Sequence, residues 1–165
     1  MYEEIYPDPI ELQNSINMIG ESIISKERHL QFFQWLIDHV RISELSPIPS
    51  LSLSQAKQVI ILLEYIRDEE LKHAILLQNI YYQLTGTYAP LYEGAFYPPK
   101  NLIAGLENAL RENLESIKKY ELITNGLPSS YYRDLISSII SDELNHIELY
   151  NSLLTKFSNI EQIIK

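Results

Sequence analysis

Apolar residues recur at steps of three and four along four stretches of the chain. The first carries Leu12, Ile16, Ile19, Ile23, Leu30, Phe33, Ile37 and Val40. The second carries Val59, Leu63, Ile66, Leu77, Ile80 and Leu84. The third has Ile103, Leu106, Leu110, Ile117 and Tyr120, and the fourth Tyr132, Ile139, Tyr150, Leu153 and Phe157. Such steps keep one stripe on one face of an α-helix. No comparable period-two alternation occurs, so the pattern predicts an all-α protein of four helices.

The breaks between stripes agree. SELSPIPSLSLS (43–54) separates helices one and two and offers serines to cap the second. GTYAPLYEGAFYPPK (86–100) separates helices two and three, and NGLPSS (125–130) separates three and four, with Ser129 or Ser130 as cap. The last link is short, which makes helices three and four antiparallel neighbours. Helix two, from about Ser54 to Thr85, would be roughly 45 Å long. The 86–100 stretch reaches about 50 Å when extended. That is enough to run the length of a bundle and start helix three parallel to helix two. The expected topology is up-down-down-up with one long crossover, and residues 1–165 read as a single domain.

Two of the stripes are interrupted by polar residues at matching places. Continuing the steps of the second stripe through its gap lands on Glu70 and His73, and the fourth stripe gives Glu143 and His146. Residues three apart share a helix face, so each pair points into the seam. Burying two carboxylates and two imidazoles is costly unless they are paired or hold a metal. Carboxylate with imidazole suits iron, manganese or zinc, and paired Glu-x-x-His motifs on facing helices are a known layout of di-metal bundle sites. On helix one, Glu27 follows Ile23 by four and precedes Leu30 by three, so it borders the seam, while Glu21 lies nearly opposite. On helix three the seam position is Asn113; Glu112 lies one step round the helix, and Glu115 points nearly away. Tyr120, in the same seam, either packs or hydrogen-bonds a ligand, and the same holds for Tyr150.

Composition narrows the function classes. A formal charge of −9 argues against nucleic acid or an anionic membrane as partner. With no cysteine, thiolate chemistry, iron–sulfur clusters and disulfides are excluded. No apolar run spans a membrane, and MYEEIYPDPIEL lacks the basic start and apolar core of a secretory signal, so a cytoplasmic location is expected.

Beyond this bottom-up reading, the chain resembles the ferritin-like superfamily, and within it the rubrerythrin-like bundles. The matching stretches are Ser25-Lys26-Glu27 with Leu30 and Phe33, Arg67 to His73, Tyr82 to Gly86, and Ser141 to His146. The resemblance implies a ferritin-like four-helix bundle with a carboxylate-bridged di-iron or di-manganese centre. Glu70 and Glu143 would bridge or chelate, His73 and His146 would bind one metal each, and Glu27 would be a further ligand. Asn113 stands where the family has its helix-three glutamate, with Glu112 as the alternative sixth ligand. That leaves three glutamates against two divalent ions, and Lys26 would further disfavour cations if it turned inward. The implied activity is oxidation of ferrous iron by peroxide or oxygen, with electrons from an external donor because no cysteine-ligated iron site is attached. The competing expectation is a non-catalytic metal-binding or structural bundle with a degenerate site. Tyr88, Tyr92 and Tyr97 in the crossover are expected to cover a bundle face or a homodimer contact.

Overall fold

In the computed structural model, which describes residues 8–43 and 52–163, each apolar stripe folds as one helix. These are α1 (Pro9–Ser43), α2 (Leu53–Thr85), α3 (Leu102–Asn125) and α4 (Ser130–Ile163). Among the described residues there is no strand. Most of the first link lies outside the described residues, but its Ser52 caps α2. The Ser52 hydroxyl accepts from the Gln55 N–H, and the Gln55 side chain accepts from the Ser52 N–H, a reciprocal capping box. Gly86 ends α2 with φ 77°, a left-handed conformation that glycine adopts without a Cβ penalty. Asn101 caps α3 by accepting from the Ala104 N–H at 2.8 Å. In the short α3–α4 turn a Cβ on Gly126 would collide with the Glu11 carbonyl, so this turn packs directly on the first turn of α1.

Cross-helix contacts fix the directions. Along α1, Ser15, Glu21 and His29 meet Ile123, Lys119 and Glu112 of α3, so α1 and α3 are antiparallel. Arg41 and Gln34 of α1 meet Glu64 and Arg67 of α2, also antiparallel. His73 of α2 meets Asp142 of α4, and Glu69 meets His146, antiparallel again. The bundle therefore runs up-down-down-up, with residues 86–100 carrying the chain along its length.

The core is divided into two apolar halves. One holds Phe33, Leu36, Leu63, Ile66, Leu106 and Leu153; the other holds Ile19, Ile23, Leu77, Ile80, Ile123 and Ile139. Each such side chain stabilises the fold by about 1.5–3 kcal/mol when fully buried. Between the halves lies a layer of polar side chains. No helix among the described residues is long and apolar enough to cross a membrane.

Candidate metal centre

The polar layer takes one residue from each helix: Lys26 from α1, Glu70 from α2, Asn113 from α3 and Glu143 from α4, none more than 1% exposed. His29, His73 and His146, one turn further on, are buried beside them. Their depth follows from the heptad-like steps, which place these positions in the seam whatever their chemistry.

The α2 and α4 contributions mirror each other. His73 Nε2 lies 2.9 Å from Asp142 Oδ2, and His146 Nε2 lies 2.8 Å from Glu69 Oε2. Each histidine is thus held by the acidic residue immediately before the layer glutamate of the opposite helix. With Nε2 directed at an outer carboxylate, Nδ1 faces the interior in both rings, the orientation in which outer carboxylates commonly fix metal-binding histidines. His73 Nδ1 is 3.4 Å from Glu143 Oε1; His146 Nδ1 is 3.3 Å from Glu70 Oε1 and 3.6 Å from Glu143 Oε2. Both Nδ1 atoms and both Glu70 oxygens are buried without a hydrogen bond.

The α1 and α3 contributions differ in kind. The Lys26 ammonium sits between the two carboxylates, 2.6 Å from Glu70 Oε2 and in close contact with Glu143 Oε1. The Glu70 contact is an ion pair by distance but is not aligned as a hydrogen bond. The Asn113 amide donates closely to Glu143 Oε2, leaving its own carbonyl oxygen unpartnered. His29 bridges outward, with Nε2 2.7 Å from Glu112 Oε2 and Nδ1 3.7 Å from Glu70 Oε2. A cavity of about 470 Å³ between α1, α3 and the crossover reaches His29 and Glu112 past Phe32, Tyr92 and Phe96.

Electrostatics hold this layer in its charged forms. Burial alone would neutralise Lys26, but the Glu143 and Glu70 carboxylates outweigh it and hold the amine well above its ordinary range. Burial likewise pushes Glu70 up, and Lys26, His146 and His29 reverse it, leaving the carboxyl well below the usual range. Glu143, opposed by burial and favoured by Lys26, is lowered to about 2. His146 is raised to about 10 because Glu143 and Glu70 outweigh burial, and His29 to about 9 through Glu112 and Glu70. Tyr120 and Tyr150 are raised, chiefly by burial. Tyr120 packs with its ring 5.8 Å from the Lys26 ammonium, and Tyr150 stacks on Phe33 with its hydroxyl unpartnered.

Of the residues singled out from the sequence, Glu70, His73, Glu143, His146 and Asn113 come together in the layer, with Tyr120 against it. Glu27 does not, and the expectation that it borders the site is corrected. It is half-buried under the crossover, where its Oε2 accepts the Tyr92 N–H at 2.5 Å. The inward residue is Lys26, because the stripe 16, 19, 23, 30, 33, 37, 40 alternates strictly between three and four only if it passes through 26. Glu112 touches His29 at the edge of the layer, whereas Glu21 pairs with Lys119 on the surface. His29 was missed; its signal was the spacing Lys26-x-x-His29, the same as in the two Glu-x-x-His pairs.

A donor set can be tested against a metal. Glu70, His73 and Glu143 each offer one ligand atom, all within 4.8 Å of one another. Two carboxylates and one imidazole suit one divalent cation. His146 lies outside that group, its Nδ1 3.3 Å from Glu70 Oε1, and becomes a donor only when it loses its proton. Among Glu70, Glu143 and Lys26 alone, one divalent ion leaves a single excess positive charge and two leave three, so these three groups favour one cation over two.

No protein-family model and no curated protein sequence matches the chain. Solved structures do. A ferritin-like, diiron-carboxylate protein from Bacillus anthracis str. Ames superposes with a TM-score of 0.67 at 18% identity, over 87% of this chain and 97% of the other. The bacterioferritin of Desulfovibrio desulfuricans, which has a diiron site, superposes with a TM-score of 0.66 at 13% identity, over 91% of this chain and 83% of the other. Neither likeness singles out the rubrerythrin branch. Helix order, the divided core and these superpositions agree that the chain has the ferritin-like four-helix-bundle fold.

Proposed function

We propose that the protein binds one iron ion through Glu70, His73 and Glu143, with His146 joining as a fourth ligand on loss of its proton, and that ferrous iron delivered there is oxidised by peroxide or oxygen. The observation that supports this reading is the set of buried side-chain atoms without a hydrogen bond, His73 Nδ1, His146 Nδ1 and both Glu70 oxygens, gathered in one layer. Iron held by such donors would supply one-electron redox chemistry. Reduction of one peroxide to two waters consumes two electrons and two protons, so the bound ferrous ion supplies one electron, a second ferrous ion from solution supplies the other, and both protons come from water. The chain's own residues supply the rest: Glu69 and Asp142 orient the histidines, and the cavity between α1, α3 and the crossover would bring a small oxidant as far as His29 and Glu112 at the edge of the layer. The diiron-carboxylate likenesses support iron over manganese, which neither they nor the donor set singles out.

A second reading, a metal-free structural bundle, is favoured by Lys26 and Asn113. These present N–H donors to Glu143 where further carboxylates would present acceptors. Anaerobic titration with ferrous ion followed by peroxide separates the two. One bound equivalent, and oxidation of two ferrous ions per peroxide faster than in buffer, supports iron chemistry. Binding without oxidation leaves a metal-binding bundle, and no binding favours the structural one.

A further inference from the structure

The two layer carboxylates each have two faces. Glu70 Oε2 and Glu143 Oε1 meet the Lys26 ammonium, with His29 and His73 Nδ1 also beside these oxygens, whereas Glu70 Oε1 and Glu143 Oε2 lie toward His146, the latter also accepting from Asn113. A pair of bridging carboxylates presents two cation positions in this way, one on each side. Lys26 fills the first, and it does so from full burial, with its stem packed in the core and Tyr120 beyond its head. A buried carboxylate pair with no cation would be strongly destabilising. In a metalloprotein the ion itself often supplies that charge, which makes folding depend on metal.

We propose that Lys26 is the resident counter-cation of this layer, taking one of the two cation positions between Glu70 and Glu143. The bundle then folds without metal and accepts at most one divalent ion. The second half of this statement rests on the metal-binding reading above; the first does not. Lys26 thus sets the stoichiometry of a site whose fold could otherwise hold a pair. A charged residue that is paired on two sides and fully enclosed is not a surface lysine turned inward by chance.

The test uses the full chain with zinc, which is redox-silent, in wild type, Lys26→Gln and Lys26→Glu. Melting is followed with EDTA and with zinc, and bound zinc is counted by native mass spectrometry, with Glu143→Gln as the control for surface-bound ions. The wild type is expected to melt at the same temperature with and without EDTA. Lys26→Gln should melt about 10 °C lower in EDTA and recover with zinc. Lys26→Glu should bind two zinc ions where the wild type binds one. If the wild type binds none and Lys26→Glu binds two, the Lys26 assignment stands and the metal-binding reading falls. If both bind one, the metal-binding reading stands and the Lys26 assignment falls. Wild-type melting in Lys26→Gln under EDTA, or two ions in the wild type, also overturns it. Should Lys26→Gln fail to fold in either condition, the wild-type count decides: two ions overturn the assignment, and one or none supports it.

Discussion

The α2–α4 face and the α1–α3 face contribute to the same buried layer, the first with Glu70, His73, Glu143 and His146, the second with Lys26, His29 and Asn113. On the first face every residue that points inward is an acceptor or a histidine held by an outer acid. On the second, a cation and an amide donate into the carboxylates. In a di-metal bundle of this layout the second face would also contribute two carboxylates. The difference is one of charge: the first face brings carboxylates and histidines to the layer, and the second brings a cation and an amide from within the chain. The buried position stays polar in both cases; what changes is whether its charge arrives with an ion or is encoded in the chain.

The comparison breaks most visibly at Glu143, which serves both halves. Glu143→Ala strands Lys26 with one carboxylate and should cost about 3–5 kcal/mol of stability, read from urea denaturation. A loss below about 1 kcal/mol would mean that the ion pair is not formed in solution. The next effect isolates the first face. Asp142→Asn leaves the layer intact but weakens the hold on His73 Nε2, so ferrous affinity should fall about 10–100-fold with little change in stability. Calorimetric titration showing unchanged affinity would detach His73 from the site.

pH sharpens the same contrast in the metal-free protein. Glu143 ionises at about 2 in the fold against an ordinary 4.5, so its contribution is present above pH 4.5 and is lost as pH falls through 2. His146 titrates at about 10 against an ordinary 6.5, so its contribution is complete below pH 6.5 and is lost as pH rises through 10. The melting temperature should therefore crest between pH 4.5 and 6.5 and decline on both sides. Ferrous affinity should run the other way on the alkaline side, rising with pH as His146 sheds its proton. The smallest effect belongs to Glu27. Glu27→Gln should cost about 0.5–1.5 kcal/mol through the Tyr92 N–H bond and leave the metal count unchanged; a lost ion would return Glu27 to the site.

Much of this was legible in the sequence. The strict steps through Ile66, Glu70, His73 and Leu77 in α2, and through Ile139, Glu143, His146 and Tyr150 in α4, locate the polar layer without any coordinates. The long 86–100 link likewise foretells parallel α2 and α3. Helix one was harder, because positions 26 and 27 both fit between Ile23 and Leu30 by spacing alone. Chemistry favours a glutamate at a metal seam, while packing favours the residue that keeps the steps alternating, and packing won. A buried lysine is unfavourable by composition and becomes stable only when two carboxylates from other helices arrive beside it. That is a tertiary event which spacing within α1 does not encode. The Lys26-x-x-His29 spacing marks His29 as facing the same way as Lys26, but its partners Glu112 and Glu70 lie on α3 and α2 and are not encoded by that spacing.

The most direct test of the central claim is a crystal prepared with ferrous ion under anaerobic conditions and measured at the iron absorption edge. One anomalous peak is expected in the layer, within bonding distance of Glu70, Glu143 and a histidine Nδ1, with the Lys26 ammonium still between the carboxylates. Two peaks, a peak beside Glu27, or an empty layer with the histidines turned away from Glu70 and Glu143 would contradict it.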